Sequence, residues 1–372
     1  MKVLFIGVYK DGTGWGNAAQ NYILALDAAG VEVVPRAIKL NDYAAEIPER
    51  ILELEDNDIK NCDIVIQNVL PHHMDYSGNF KKNIGIYFTE TNHFRNSSWP
   101  QRLNLMDELW VCNDQMVEAA KNSHITTPTK VVPIPTDISK YDRQYDVVDI
   151  DSSLRHDFVF YFIGEIIRRK NVVSLIKAFH LEFGVNEPVS LVIKGNLAGE
   201  TPVETANHIT EMCNQIKANL KIYPSLGDYK EEVVVTDMLN NESILRMHQT
   251  FDCFVAPSFG EAWCIPAFDA MAMGNTPIVN DVGGLSSFVD NDNGWLIPNS
   301  PEPVFGMTRG FSDLYQGNEL WWNISIPHLQ TAMREAYENS DMRRKKKQSC
   351  MEKVKKFSHE NVGQLMKELL HA

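Results

Sequence analysis

Residues 1–34, MKVLFIGVYK DGTGWGNAAQ NYILALDAAG VEVV, decide the fold. Val3–Val8 is a short apolar, β-branched run that ends at Tyr9-Lys10-Asp11, and it reads as a buried strand. It is too short for the apolar region of a signal peptide, and no small-residue cleavage site follows. Asn17–Ala29 places Ala18, Tyr22, Leu24, Ala25 and Ala28 near one helical face; Gly30 stops that helix, and Val31–Val34 is the next strand. Strand, helix and strand in that order mean a parallel sheet with helices on both faces.

The alternation runs outward from this unit. Strands are expected at Ile64–Gln67, Ile84–Phe88, Glu108–Val111 and Lys130–Ile134. Between Pro133 and Phe158 the chain turns polar and loses its period, through Pro135-Thr136-Asp137, Tyr141–Asp146 and Asp149–Ser153, so this stretch reads as a linker. Alternation restarts with a strand at Phe158–Ile163, a helix at Val172–Phe183 and a strand at Val189–Lys194. It continues through Val233–Val235, Cys253–Ala256 and Pro277–Val279. The expected architecture is α/β, with two doubly wound, Rossmann-like domains at 1–150 and 151–356. A ligand in such a chain is expected in the cleft between them, at the carboxyl ends of both sheets.

Composition narrows the partners. The 372 residues suit two domains of ordinary size, and a net charge of −14 argues against a nucleic-acid partner, which demands a broad positive surface. Six scattered cysteines, Cys62, Cys112, Cys213, Cys253, Cys264 and Cys350, form no CxxC pair and fit free thiols in a reducing compartment. No run approaches the roughly 20 apolar residues of a membrane span, so a soluble, cytoplasmic protein is expected.

The richest stretch is Pro257–Gly274, PSFGEAWCIPAFDAMAMG. Glu261 falls in the loop after a strand, where it can face a sugar ring. Pro266 suits a first helical turn, and the helix start offers backbone N–H groups and a favourable dipole to a phosphate at Cys264 and Ile265, next to Trp263. Asp269 lies one turn inside, where a carboxylate can accept from the vicinal hydroxyls of a ribose; the plain alternative is a helix cap and a solvent-facing Asp. The pattern Ser258-x-x-Glu261-(x7)-Asp269-Ala-x-Ala-x-Gly, followed by Pro277-Ile278-Val279 and Gly283-Gly284, resembles the E-x7-E signature of retaining GT-B glycosyltransferases, especially family 4. Two positions depart from it. The second acid is Asp269 where the family usually has Glu, and the family's Gly-Gly-x-x-Glu reads Gly283-Gly284-Leu285-Ser286-Ser287.

Three further loops fit the resemblance. Gly164-Glu165-Ile166-Ile167-Arg168-Arg169-Lys170 follows the first strand of the second half. Basic groups there can neutralise a leaving diphosphate. Lys170 matches the family's Lys, and Arg169 or Arg168 stands in for its Arg, which is Glu165 here. Asp11-Gly12-Thr13-Gly14-Trp15-Gly16 would overhang the acceptor and the donor phosphates through Gly14, though a plain tight turn reads equally well; it lacks the GxGxxG spacing. The third runs from Phe88-Thr89-Glu90-Thr91-Asn92-His93 to Met106-Asp107-Glu108-Leu109-Trp110-Val111 and is similar to a subgroup of family 4. It makes Glu90 and His93 candidates for acceptor orientation or proton handling. His72 and His73 are adjacent and expected to point apart, so no metal site is expected.

The resemblance implies the GT-B fold: the donor, a nucleotide-diphosphate sugar, on the second domain (Asp237 near its base), and a sugar, glycan or lipid-linked acceptor on the first. It implies metal-independent transfer of a hexose-type sugar with retention of configuration and no cofactor beyond that donor. It also implies a last helix, about 357–372, that packs back on the first domain. Arg343–Lys347 reads as a solvated basic face or a weak contact with an anionic membrane. An inactive nucleotide-sugar-binding homologue, or an epimerase or phosphorylase on the same fold, remains as the alternative. Lys170→Ala and Glu261→Ala are both expected to abolish transfer with little change in melting temperature.

Overall fold

The structure, a computed structural model, describes residues 1–41, 44–148, 150–308 and 312–372, with the side chain of Ser153 left aside; Asp149 of the expected linker lies outside the described residues. The chain forms two compact units. Unit 1 comprises Met1–Lys140, Gly310–Leu320 and Val354–Ala372; unit 2 comprises Tyr141–Arg309 and Trp321–Lys353.

Unit 1 runs β1 (Lys2–Gly7), α1 (Gly14–Ala28), β2 (Glu32–Ala37), α2 (Glu49–Glu55), β3 (Ile64–Asn68), β4 (Lys82–Ile86), α3 (Trp99–Leu103), β5 (Glu108–Val111), α4 (Asp114–Asn122) and β6 (Thr129–Val131). The six strands form one parallel sheet in the order β2-β1-β3-β4-β5-β6. Thr13 caps α1 by accepting the Gly16 N–H at 3.2 Å. The glycine this turn requires is Gly16, where a Cβ would stand 1.9 Å from the Asp11 carbonyl; beside Gly14 there is open space. The buried face of α1 is Ala18, Ala19, Tyr22, Ile23, Ala25 and Leu26. Leu24 is only half-buried and Ala28 is exposed, because at 3.6 residues per turn the stripe passes through Ile23 and Leu26 instead. Strand β4 ends at Ile86, two residues before the expected Phe88. Strand β6 ends at Val131, before Pro133, which has no N–H to give the ladder.

Unit 2 runs β7 (Phe158–Glu165), α5 (Val172–Glu182), β8 (Val189–Asn196), α6 (Pro202–Leu220), β9 (Val233–Val235), α7 (Asn241–Thr250), β10 (Cys253–Ala256), α8 (Ile265–Ala272), β11 (Ile278–Asn280), α9 (Gly283–Phe288), β12 (Trp295–Ile297), β13 (Asn299–Pro303), β14 (Leu320–Ile324), α10 (Ile326–Glu338) and α11 (Ser340–Lys355). Its parallel sheet has the order β12-β11-β10-β7-β8-β9, and β13 and β14 make a separate two-stranded sheet. Phe160, Phe162, Leu191, Ile193, Cys253 and Val255 line one face of this sheet and pack on α5 and α10. From β7 the chain winds first to β8 and β9, then to β10, β11 and β12 on the other side. The loops after β7 and β10 therefore part in opposite directions, and such a switch point opens a crevice at the carboxyl ends of the strands.

The last helix, α12 (His359–His371), groups with unit 1 and packs along α1. Gly363 permits the approach, since a Cβ there would meet the Ala25 carbonyl at 2.0 Å. Within the basic run, Arg343 stacks on Phe158 at 4.7 Å, and the buried Lys346 donates to the Gly294 carbonyl at 2.8 Å over the Trp295 ring. These cations serve the packing of unit 2. No helix among the described residues is long and apolar enough to cross a membrane. All six cysteines are free thiols.

Candidate functional site

The switch point of unit 2 brings the two strongest sequence motifs together. After β7, Arg168–Lys170 forms one tight turn, closed by Asn171 in the left-handed region at φ 52°. Asn171 then donates to the Pro257 carbonyl at 3.1 Å and accepts the Ser174 hydroxyl at 2.9 Å. The Phe259 N–H donates to the Arg169 carbonyl at 2.8 Å, and Arg169 Nη1 to the Gly260 carbonyl at 2.8 Å. These bonds zip the β7 loop to the β10 loop.

Glu261 is the centre of the zip. Its side chain is 5% exposed, with Lys170 Nζ 2.6 Å from Oε1, Arg169 Nη1 3.2 Å from Oε2 and the Ser258 hydroxyl donating at 2.7 Å. Burial alone would raise its pKa, but the charges of Lys170 and Arg169 outweigh that and hold it down at about 2. Two cations against one carboxylate leave a net positive charge, which suits a diphosphate. Arg168 differs from its neighbour. Its guanidinium lies 4.9 Å from the Phe259 ring centroid, and Phe259 stacks on Trp321 at 4.5 Å.

The start of α8 is narrower than the sequence suggests. Cys264 caps it at φ 74°, and its carbonyl takes the N–H groups of both Ala267 and Phe268 at 3.1 Å. Pro266 has no N–H, so the N–H groups of Cys264 and Ile265 are those left at the helix start for an anion. Asp269 is buried and accepts the hydroxyl of Tyr141, so a ribose would share that carboxylate with a tyrosine from the expected linker. Trp263 is 3% exposed and packs on Phe288 and Phe268; its side chain belongs to the core and its backbone to the loop. Asp237 is exposed just beyond β9. Sequence reading passed over Lys194 near the end of β8, 6% exposed, whose pKa burial lowers while the charge of Asp237 opposes. A lysine directly after the apolar run Leu191-Val192-Ile193 is the signal.

Gly284 holds the far side of the loop. Its N–H donates to the Glu261 carbonyl at 2.9 Å, and a Cβ there would stand 2.2 Å from the Ala262 carbonyl oxygen and 2.4 Å from Trp263 Cα. Backbone cannot swing aside as a side chain can. Gly284→Ala should therefore cost about 2 kcal/mol or more, read by urea unfolding; a fully stable variant would show that the loop yields.

In unit 1 the remaining candidates cluster after β4. Glu90 accepts the Tyr315 hydroxyl at 2.5 Å, and His93, 3% exposed, uses Nε2 against the Asn318 carbonyl at 3.0 Å. Burial, with Arg95 nearby, lowers the His93 pKa and favours the neutral ring; the Asn318 carbonyl can only accept, so Nε2–H donates. Its buried Nδ1 has no hydrogen-bond partner among the described residues. Trp15, next to Gly14, packs edge-on against Phe88 at 4.7 Å. His72 and His73 do not point apart: their rings lie 4.1 Å apart in a turn at Pro71–His73.

Residues 150–304 match the family described as Glycosyl transferases group 1. An uncharacterized glycosyltransferase of Methanocaldococcus jannaschii is 24% identical over 180 residues, 48% of this chain and 40% of that protein, so the match spans less than half of this curated relative. Among solved structures, sucrose-phosphate synthase of Thermosynechococcus elongatus gives a TM-score of 0.66 at 16% identity, covering 100% of this chain and 98% of that one. Anabaena HepE, solved in complex with UDP-glucose, gives 0.67 at 14% identity over 100% and 99%. At these identities the structural likeness is one of fold. The chain thus has the α/β fold of GT-B glycosyltransferases, and its residues 150–304, under half of its length, match the Glycosyl transferases group 1 family.

Proposed function

We propose that the chain is a retaining glycosyltransferase that moves a hexose-type sugar from a nucleotide-diphosphate donor to a hydroxyl acceptor. The observation that carries this reading is the buried Lys170–Glu261–Arg169 cluster at the switch point of unit 2, beside the start of α8. The donor diphosphate would take Lys170, Arg169 and the Cys264 and Ile265 N–H groups; Asp269 would take the ribose and Asp237 the base. The bond from the anomeric carbon to the β-phosphate oxygen breaks, and the negative charge that develops on that oxygen is met by Lys170 and Arg169. The acceptor oxygen bonds to the same face of the anomeric carbon, and its proton passes to the departing diphosphate. Cations already fixed at the diphosphate supply the charge neutralisation that other transferases draw from a metal, so this reading requires none. Glu261 keeps those cations in place, while Glu90 and His93 orient the acceptor hydroxyl.

Thermal denaturation with UDP, GDP and ADP tests the first step. Binding to the folded state alone stabilises by mass action, about 2.7 kcal/mol at 100 times Kd. One nucleoside diphosphate should raise the melting temperature by several degrees, and its sugar conjugate should then yield an α-configured product from an α-configured donor. If none of the three binds, the donor class is wrong; an inverted product would keep the enzyme and remove the mechanism.

A further inference from the structure

Residues 312–320 stand within the sequence of unit 2 but group with unit 1, where they bind the one loop that carries Glu90 and His93. Asp313 accepts both the N–H and the hydroxyl of Ser98, at 2.9 and 3.0 Å. Asn92 and Leu320 exchange two bonds, Asn92 N–H to the Leu320 carbonyl at 3.0 Å and Leu320 N–H to Asn92 Oδ1 at 2.7 Å. Asn318 takes His93 through its carbonyl, and Tyr315 reaches Glu90 Oε2 at 2.5 Å. Tyr315 adopts φ 57°, a conformation that a bulky side chain enters only when its surroundings enforce it. Glu319 is 2% exposed; burial raises its pKa, while the Gln316 N–H, donating to its Oε1 at 3.2 Å, opposes that. The segment thus holds the loop through Asp313, Tyr315, Asn318 and Leu320.

We propose that residues 312–320 form part of the acceptor subsite, and that Tyr315 is a positioning residue that fixes the Glu90 carboxylate toward the acceptor hydroxyl. The inference rests on the proposed function, because it gives Glu90 a hydroxyl-bearing acceptor to orient. The segment also sets the state of His93. With Nε2–H committed to the Asn318 carbonyl, the lone pair on the buried Nδ1 is an acceptor, and a bound hydroxyl would satisfy it. A tyrosine donating to a carboxylate makes a charge-assisted bond, which fixes orientation better than solvent does.

A double-mutant cycle decides the matter in the full chain. The probes are methyl glucoside as acceptor and whichever of UDP-glucose, GDP-mannose and ADP-glucose the wild type turns over. Tyr315→Phe should lower kcat about tenfold while the donor KM stays within about twofold. In a Glu90→Gln background the same change should cost less than about twofold, because Tyr315 acts through the carboxylate. An equal loss on both backgrounds, or no loss in Tyr315→Phe, overturns the assignment and leaves the donor chemistry standing. A wild type that turns over none of the three donors sinks the functional reading and this one together.

Discussion

Lys170→Met should reduce transfer by a factor of about 10² to 10³ while leaving the fold nearly as stable as the wild type. The asymmetry follows from the charge count at Glu261. Removing Lys170 leaves Arg169 and Glu261 as a one-to-one pair, with the Ser258 hydroxyl still donating, so no buried charge is orphaned. Methionine keeps most of the apolar stem that the lysine buries. What would disappear is the cation that the proposed function sets against the diphosphate as its leaving oxygen gains charge. The measurement pairs kcat with the melting temperature. A kcat close to wild type would remove Lys170 from the chemistry, and a drop of many degrees would make its role structural.

Much of the fold is legible in the sequence. The strands of both sheets could be read because parallel strands with helices on both faces become continuous apolar runs, such as Val3–Val8 and Phe158–Ile163, bounded by turn residues. The Pro257–Gly274 stretch could be read because strand end, proline and helix follow one another within a single window. Pairings across the sequence could not. Lys170 and Glu261 are 91 residues apart and meet only because the winding reverses between β7 and β10. Tyr141, the partner of Asp269, sits in a stretch without period, where composition says linker and nothing says which side chain turns inward. The segment 312–320 was invisible for the same reason. It is polar, aperiodic and 225 residues from Glu90, and it acts through backbone groups and the Asp313 and Tyr315 side chains. Lys194 is the opposite case: a lysine directly after the apolar run Leu191-Val192-Ile193, where the sequence itself shows it.

Glu261→Ala should differ from Lys170→Met in kind, although sequence alone expects Glu261→Ala, like Lys170→Ala, to leave the melting temperature nearly unchanged. Without the carboxylate, Arg169 and Lys170 face each other in a site where their side chains are 12% and 16% exposed. Stranding buried charge in this way costs about 3–5 kcal/mol, so Glu261→Ala should unfold well before the wild type and lose transfer as well. Glu261→Gln keeps the shape, and acid then separates charge from packing. The wild-type carboxyl is held at about 2 against an ordinary 4.5, a displacement worth on the order of 3 kcal/mol. Because the folded value is the depressed one, that stabilisation is complete above about pH 5 and drains away as the pH falls toward 2. The gap between wild type and Glu261→Gln, measured by urea unfolding, should therefore be widest at neutral pH and close progressively from pH 5 downward. Nucleoside diphosphate should narrow the gap at neutral pH, since its phosphates neutralise the stranded cations in place of the missing carboxylate. Equal stability of the two proteins at pH 7, with the same acid slope, would mean that Glu261 does not hold the cations, and the charge argument for the donor site would fall with it.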